Sequence, residues 1–267
     1  MAFKLSNRTL LKLSGSDAQS FLQAQLSNDI TKLDDNRVQL SAYCQHQGKI
    51  LALFWVMRDG DDFLLSFPAD LVDGLLPRLK MFVLMSDVAI EDVTNECTQI
   101  GYIDATLDNA YLINQRLSVT VGKDNANNIE FSNQDEWTKV CIETALPEVE
   151  QVTAEKLIPQ MLNLDIDEIG VNFTKGCYPG QEVVARLHYL GKAKRRLFEF
   201  KSTEPLRVGD SLYCESSKSV KASGIVVSQV KCEAEFLCLA TLEVAHKDDL
   251  ITLNSVDGAI LTRIEHE

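Results

Sequence analysis

The sequence predicts an α+β protein, with a mixed helix-and-strand region over 1–190 and a small antiparallel β-domain, a barrel or a sandwich, over 191–267. Segments with apolar residues at helical spacing alternate with strand-like runs through the first region. Beyond Gly191 only short β-like runs remain, separated by Gly, Asp and Ser. The length of 267 residues allows more than one core, since single domains commonly hold about 100–200 residues.

A short strand is expected around Leu10–Leu13. Ser16-Asp17-Ala18-Gln19 then has the form of a capping box, and Phe21, Leu22, Gln25 and Leu26 follow at helical spacing. "VQLSAYCQ", "KILALFWVM" and "FLLSF", joined by His46-Gln47-Gly48 and a DGDD turn, read as a three-stranded antiparallel meander. Leu71, Val72, Leu75, Leu76 and Leu79 mark the apolar face of a helix that Pro77 is expected to kink or break. "VAIEDV" and "CTQIGYI" read as strands, and "DEWTKVCIETALP" as a helix stopped by Pro147, with Trp137, Val140, Cys141 and Thr144 on one side. The β-domain is spelled by "RRLFEFK", "SLYCES", "GIVVSQV", "EFLCLATLEV" and "AILTRIE".

A net charge of −13 argues against direct nucleic-acid binding over a broad surface, which requires clustered cations to neutralise phosphates. The N-terminal segment has no apolar core of a signal peptide, and no run approaches the ~20 apolar residues of a membrane span. A cytoplasmic protein without membrane contact is expected. The seven cysteines form no C-x-x-C pair and no regular spacing, so neither a disulfide framework nor a zinc module is indicated.

The densest run of unusual residues is "KGCYPGQE", 175–182. Lys175 and the start of the helix read in "PGQEVVARLHYL" both place positive potential near a thiolate at Cys177. That suits a nucleophile, a redox thiol or a ligand for a transient metal or sulfur species. The plainer reading is a small residue closing a turn in which Gly176 and Gly180 supply the conformational freedom. Gln181 and Glu182 fall in the first helical turn, and Glu182 and Arg186 have i,i+4 spacing. Arg186, Lys192, Lys194, Arg195 and Arg196 form the one concentrated cationic stretch, suited to phosphates or a polycarboxylate, or simply to a solvated surface. Trp137 is by default a core residue, although an indole can stack on a flat heterocycle, with Glu143 accepting from ring N–H groups. His46, His188, His246 and His266 are too scattered to indicate a metal site, and no Walker loop, dinucleotide fingerprint or G-x-S-x-G elbow occurs.

The run "GVNFTKGCYPGQEVVARLHYLGKAKRRL" resembles the signature of the YgfZ family of folate-binding proteins, relatives of the glycine-cleavage T-protein, an aminomethyltransferase. The resemblance extends through "LSGSDAQSFLQAQLSNDI", "QGKILALFWVMRDGDDFLL", "EWTKVCIETALPEV" and "LIPQMLNLDIDEIG". It implies three lobes around a central folate site, two of them interleaved over 1–190 and the last a β-barrel. It also implies tetrahydrofolate or a derivative as cofactor and iron–sulfur enzymes as transient clients.

Cys177 matches the signature cysteine, and Lys175, Gly176, Tyr178, Gly180, Gln181 and Glu182 complete its pattern. The resemblance places Trp137 and Glu143 at folate-associated positions and a second folate-associated tryptophan at Arg8. True aminomethyltransferases carry an aspartate just after a "G-x-I-L" step, where this chain reads Gly48-Lys49-Ile50-Leu51-Ala52-Leu53. A retained folate pocket without the parent transferase chemistry is therefore expected, in an accessory protein for iron–sulfur enzymes and, through them, thiolation-type tRNA modification. The rivals are a folate-dependent one-carbon transferase and a binding module in which Cys177 is structural.

Overall fold

The computed structural model describes residues 1–105, 107–123, 129–217 and 222–265. In chain order the strands and α-helices are β1 (Ala2–Lys4), β2 (Arg8–Ser14), α1 (Ala18–Gln25), β3 (Gln39–Cys44), β4 (Ile50–Asp59), β5 (Asp62–Pro68), α2 (Val72–Phe82), β6 (Ala89–Asp92), β7 (Thr98–Ile103), β8 (Tyr111–Leu112), β9 (Leu117–Gly122), α3 (Gln134–Glu143) and α4 (Gln181–Leu190). The last part holds β10 (Arg195–Ser202), β11 (Ser211–Cys214), β12 (Gly224–Cys232), β13 (Glu235–Glu243), β14 (Ile251–Leu253) and β15 (Ile260–Arg263).

The expected meander β3-β4-β5 forms, and β2 and β6 extend it to a five-stranded sheet in the order β3-β4-β5-β2-β6. Its central strand β4 is apolar on both faces because both are covered. Leu53, Trp55 and Met57 point into a core shared with Phe3, Trp137 and Val184, while Ala52, Phe54 and Val56 meet Phe21, Leu22, Leu75 and Leu79 of α1 and α2. A second, four-stranded sheet runs β1-β7-β9-β8. The six last strands close a barrel, β10-β13-β12-β11-β14-β15, which settles the choice between barrel and sandwich. Leu197, Val227 and Leu239 from the barrel enter the first core, so the barrel wall and the two sheets share one apolar centre.

Three local expectations are corrected. The capping box does not form. Asp17 is the N-cap and makes no side-chain cap bond, while Ser16 Oγ donates to Asp87 and Gln19 Oε1 accepts from Arg58. Helix α2 continues through Pro77, its Leu75 and Leu79 buried. Helix α3 ends at Glu143, ahead of Pro147, because Ala145 takes a left-handed conformation with φ 51°.

Candidate functional site

The signature loop is built on a short segment between α1 and β3. The Ser27 hydroxyl donates to Gly170 O and accepts from Ala42 N–H, and Ser27 O accepts from Asn172 N–H. Asn172, itself buried, accepts through Oδ1 from the backbone N–H groups of Thr174 and Lys175. The chain is thus shaped before it reaches Cys177. Lys175 is 8% exposed, and its ammonium donates to three main-chain carbonyls, Gln23 O at 2.6 Å, Asn28 O at 3.0 Å and Leu26 O. Burial draws its pKa down to about 8, resisted by the Asp29 carboxylate. The positive charge expected beside Cys177 is therefore engaged inside the protein, where it also lies 5.3 Å from the Tyr178 ring.

On the far side of Cys177, Gly180 caps α4 with φ 83°, and a Cβ there would lie 2.4 Å from Gln45 O and 2.8 Å from Gly48 Cα. The signature loop is pressed onto the β3–β4 turn at this point, and the Cβ-less residue is a steric requirement. Nothing lies within 4 Å of the corresponding position at Gly176. Of the seven cysteines, Cys177 alone is exposed, whereas Cys44, Cys141 and Cys238 have thiols pushed up to about 12 by burial. Tyr178 is buried, Gln181 half-buried and Glu182 exposed, and among the described residues no ion pair joins Glu182 to Arg186. His188 stacks on Phe173 with ring centres 3.7 Å apart. His266 lies outside the described residues.

Trp137 is 5% exposed and packs in the core against Trp55, Phe3 and the bare backbone of Gly101, where a Cβ would come within 2.5 Å of the indole. Arg8 is 3% exposed, with its guanidinium carbon 3.7 Å from the Trp55 ring centre. It donates to Ser66 and forms an ion pair with Glu148. Burial opposes this charge, and the Glu148 partner and the aromatic face offset that cost. Arg8 thus joins the same aromatic cluster as Trp137, as a fixed cation.

The C-terminal end of α3 leads to a cavity of about 410 Å³ between the 32–40 segment, Ile113, Asn114 and Thr144–Leu146, with Ile169 on its wall. Leu33, Val38, Leu40 and Leu146 supply apolar surface, and Lys32 and Arg37 supply positive charge. Gln39 contributes an unpartnered polar atom: its Nε2 donates to Asp29 O, but its buried Oε1 has no hydrogen-bond partner. Asn28 links this cavity to the signature loop, donating to Leu40 O and Ile169 O while its own carbonyl accepts from Lys175. Glu143 lines an adjacent cavity of about 390 Å³ and pairs with Arg116 at 2.9 Å.

The cationic stretch divides. Arg196 chelates Asp165 and donates to Gln160 O, and Arg195 bonds Ala222 O and Glu243, so both hold the barrel in place, while Lys192 and Lys194 are exposed. Arg37, Gln39 and Asn28 were not singled out from sequence. They lie in no charge run or apolar period, and the one signal was that "LSNDI" falls within a family-like stretch.

No family model matches the chain. The tRNA-modifying protein YgfZ of Colwellia psychrerythraea is 26% identical over 290 aligned positions, covering 96% of this chain and 89% of that protein. The protein of the same name from Escherichia coli O127:H6 is 25% identical over 264 positions, covering 86% and 81%. Among solved structures, the glycine cleavage system aminomethyltransferase T from Bartonella henselae superposes with a TM-score of 0.73 at 13% identity, covering 99% of this chain and 84% of that one. The architecture is thus that of the glycine-cleavage T-protein. Taken with that architecture, the similarity over most of the chain to proteins named YgfZ supports a YgfZ-like, T-protein-like fold. No helix among the described residues is long and apolar enough to cross a membrane.

Proposed function

We propose that this chain is a cytoplasmic folate-binding accessory protein of the YgfZ type, supporting iron–sulfur enzymes and, through them, thiolation-type modification of tRNA. The observation that carries the reading is the isolation of Cys177. It is the one exposed thiol of seven, on a loop fixed on one side by buried Lys175 and Asn172 and on the other by the Gly180–Gly48 contact. A cysteine needed only for packing has no use for exposure. A thiol that must meet client proteins or a transferred species does.

The cavity beside the 32–40 segment suits a reduced folate. Its volume falls within the range of about 300–1,000 Å³ usual for small-molecule sites. The unpartnered Gln39 Oε1 can accept from a ring N–H, the leucines and Val38 can cover the flat heterocycle, and Arg37 and Lys32 can neutralise glutamyl carboxylates. Folate, when bound, supplies one-carbon carrier chemistry. In this reading Trp137 and Arg8 fix the position of α3 and hence of the cavity wall, Glu143 flanks the pocket, Tyr178 and Gln181 hold the signature loop, and Glu182 stands exposed in the first turn of α4. The rival transferase reading is opposed by Ala52 and Leu53, both buried in β4 where the transferase aspartate is expected.

In cells lacking the protein, wild type is expected to restore thiolated tRNA. Cys177→Ala is expected to fail while keeping wild-type stability and folate binding. Full restoration by Cys177→Ala would remove the thiol from the proposal.

A further inference from the structure

The barrel carries a cluster that the folate reading does not use. Cys214 ends β11 and pairs with Ile251 at the start of β14, which brings the preceding turn, with His246 and Asp249, beside its thiol. One donor atom from each of Cys214, His246 and Asp249 falls within 4.8 Å of the other two. The Cys214 Sγ to Asp249 Oδ2 distance is 3.4 Å, and His246 Nδ1 to the same oxygen is 2.9 Å. Tetrahedral zinc, with bonds of about 2.3 Å to sulfur and about 2.0–2.2 Å to nitrogen and oxygen, sets its donors roughly 3.3–3.6 Å apart. The thiol–carboxylate pair already stands at that spacing, and opening the imidazole–carboxylate pair by about half an ångström brings it there too, while the thiol–imidazole pair lies within 4.8 Å.

Two further observations point the same way. The Ser216 hydroxyl lies among the three donors, 2.9 Å from Cys214 Sγ and 3.1 Å from His246 Nδ1, and donates to Asp249. All three groups thus converge on one polar atom, carried by an exposed residue. Behind the imidazole, Glu243 Oε2 stands 3.9 Å from His246 Nε2, and the same carboxylate accepts from Arg195 at 3.2 Å. At that distance the carboxylate makes no hydrogen bond to the ring, but it stands on the side from which a carboxylate orients a metal-bound histidine. A Cys–His–Asp nucleophile is a poorer fit, because it needs the thiol on the imidazole nitrogen opposite the carboxylate, whereas here Glu243 faces that nitrogen and the thiol donates to Asp249.

We propose that Cys214, His246 and Asp249 bind one divalent cation of the zinc class, with Ser216 displaced and water as fourth ligand. A thiolate, an imidazole and a carboxylate select such an ion over magnesium or calcium. Binding releases the Cys214 thiol proton to solvent and clamps the short β11–β14 seam of the barrel. The site stands independently of folate binding.

The test is anaerobic titration of the metal-stripped, reduced full chain with cobalt(II). One equivalent is expected to produce thiolate-to-cobalt charge transfer and the strong visible bands of tetrahedral cobalt, both abolished by added zinc. Cys177→Ala should retain the signal and Cys214→Ala should lose it. Asp249→Asn, at an exposed position that does not endanger folding, should weaken cobalt binding about tenfold or more. No charge-transfer band in the folded wild type, its persistence in Cys214→Ala, or unchanged affinity in Asp249→Asn would overturn the assignment.

Discussion

The two glycines of the signature loop give a matched pair of substitutions with opposite expected signs. At Gly180 the backbone is left-handed, φ 83°, which costs an alanine about 1–2 kcal/mol. The new Cβ would also lie 2.4 Å from Gln45 O, 2.8 Å from Gly48 Cα and 2.9 Å from Gly48 N. These are backbone atoms of a turn that cannot rotate away, and forcing them apart adds about 1–3 kcal/mol. Gly180→Ala should therefore destabilise by about 2–5 kcal/mol in total. At Gly176 there is no neighbour within 4 Å and no left-handed φ, so alanine is expected to be neutral or to stabilise by up to about 1 kcal/mol through the unfolded chain. Urea unfolding should place the Gly180→Ala midpoint roughly 1–2 M below wild type and leave Gly176→Ala at or above it. Trypsin should also cut faster after Arg186 and Lys192 in Gly180→Ala alone. Equal midpoints for the two variants would refute the docking of the loop on the β3–β4 turn.

Alkylation of the native protein should modify Cys177 first and leave Cys44, Cys141 and Cys238 unreacted until unfolding, as peptide mass spectrometry would show; early labelling of Cys238 would contradict the barrel core. Those three thiols titrate near 12 when folded and near 9 when unfolded, so the folded state holds more protons between these values and stability falls as pH rises. Lys175, at about 8 folded against 10.5, and Arg8, drawn down by burial to about 9, work in the opposite sense, over about pH 8–10.5 and above about pH 9, so two groups oppose three thiols. Each group contributes at most about 1.4 kcal/mol per pH unit, so the urea midpoint should drop between pH 9 and 10.5, and Cys238→Ala should make that drop shallower; a flat profile would count against the buried thiols. Lys175→Met strips the Leu26 and Asn28 carbonyls of their buried donor and should cost about 2–4 kcal/mol in urea, whereas wild-type stability would mean that the lysine does not anchor the loop.

Elements with a strong period were legible from sequence. The meander, α2, α3, α4 and most barrel strands fall where their apolar spacing puts them. Strands β1, β8, β9 and β14 were missed because they are short or lie in the weakly patterned middle. The Ser16 cap failed for a tertiary reason, since Asp87, distant in sequence, takes the hydroxyl that local rules assign to the helix. At the site, "KGCYPGQE" was readable as unusual, but the direction of Lys175 was not: three carbonyls from the segment after α1 outcompete a neighbour two residues away. Likewise Cys214, His246 and Asp249 share no metal-binding spacing, and only the β11–β14 pairing unites them.

The central claim, a folate site served by Arg37 and Gln39, is tested most directly by calorimetric titration with tetrahydrofolate. Wild type and Cys177→Ala are predicted to bind one equivalent with the same affinity. Arg37→Gln is predicted to bind about 10–100-fold more weakly, the equivalent of one charge-assisted hydrogen bond. Absence of saturable binding by the wild type, or equal affinity in Arg37→Gln, would contradict it.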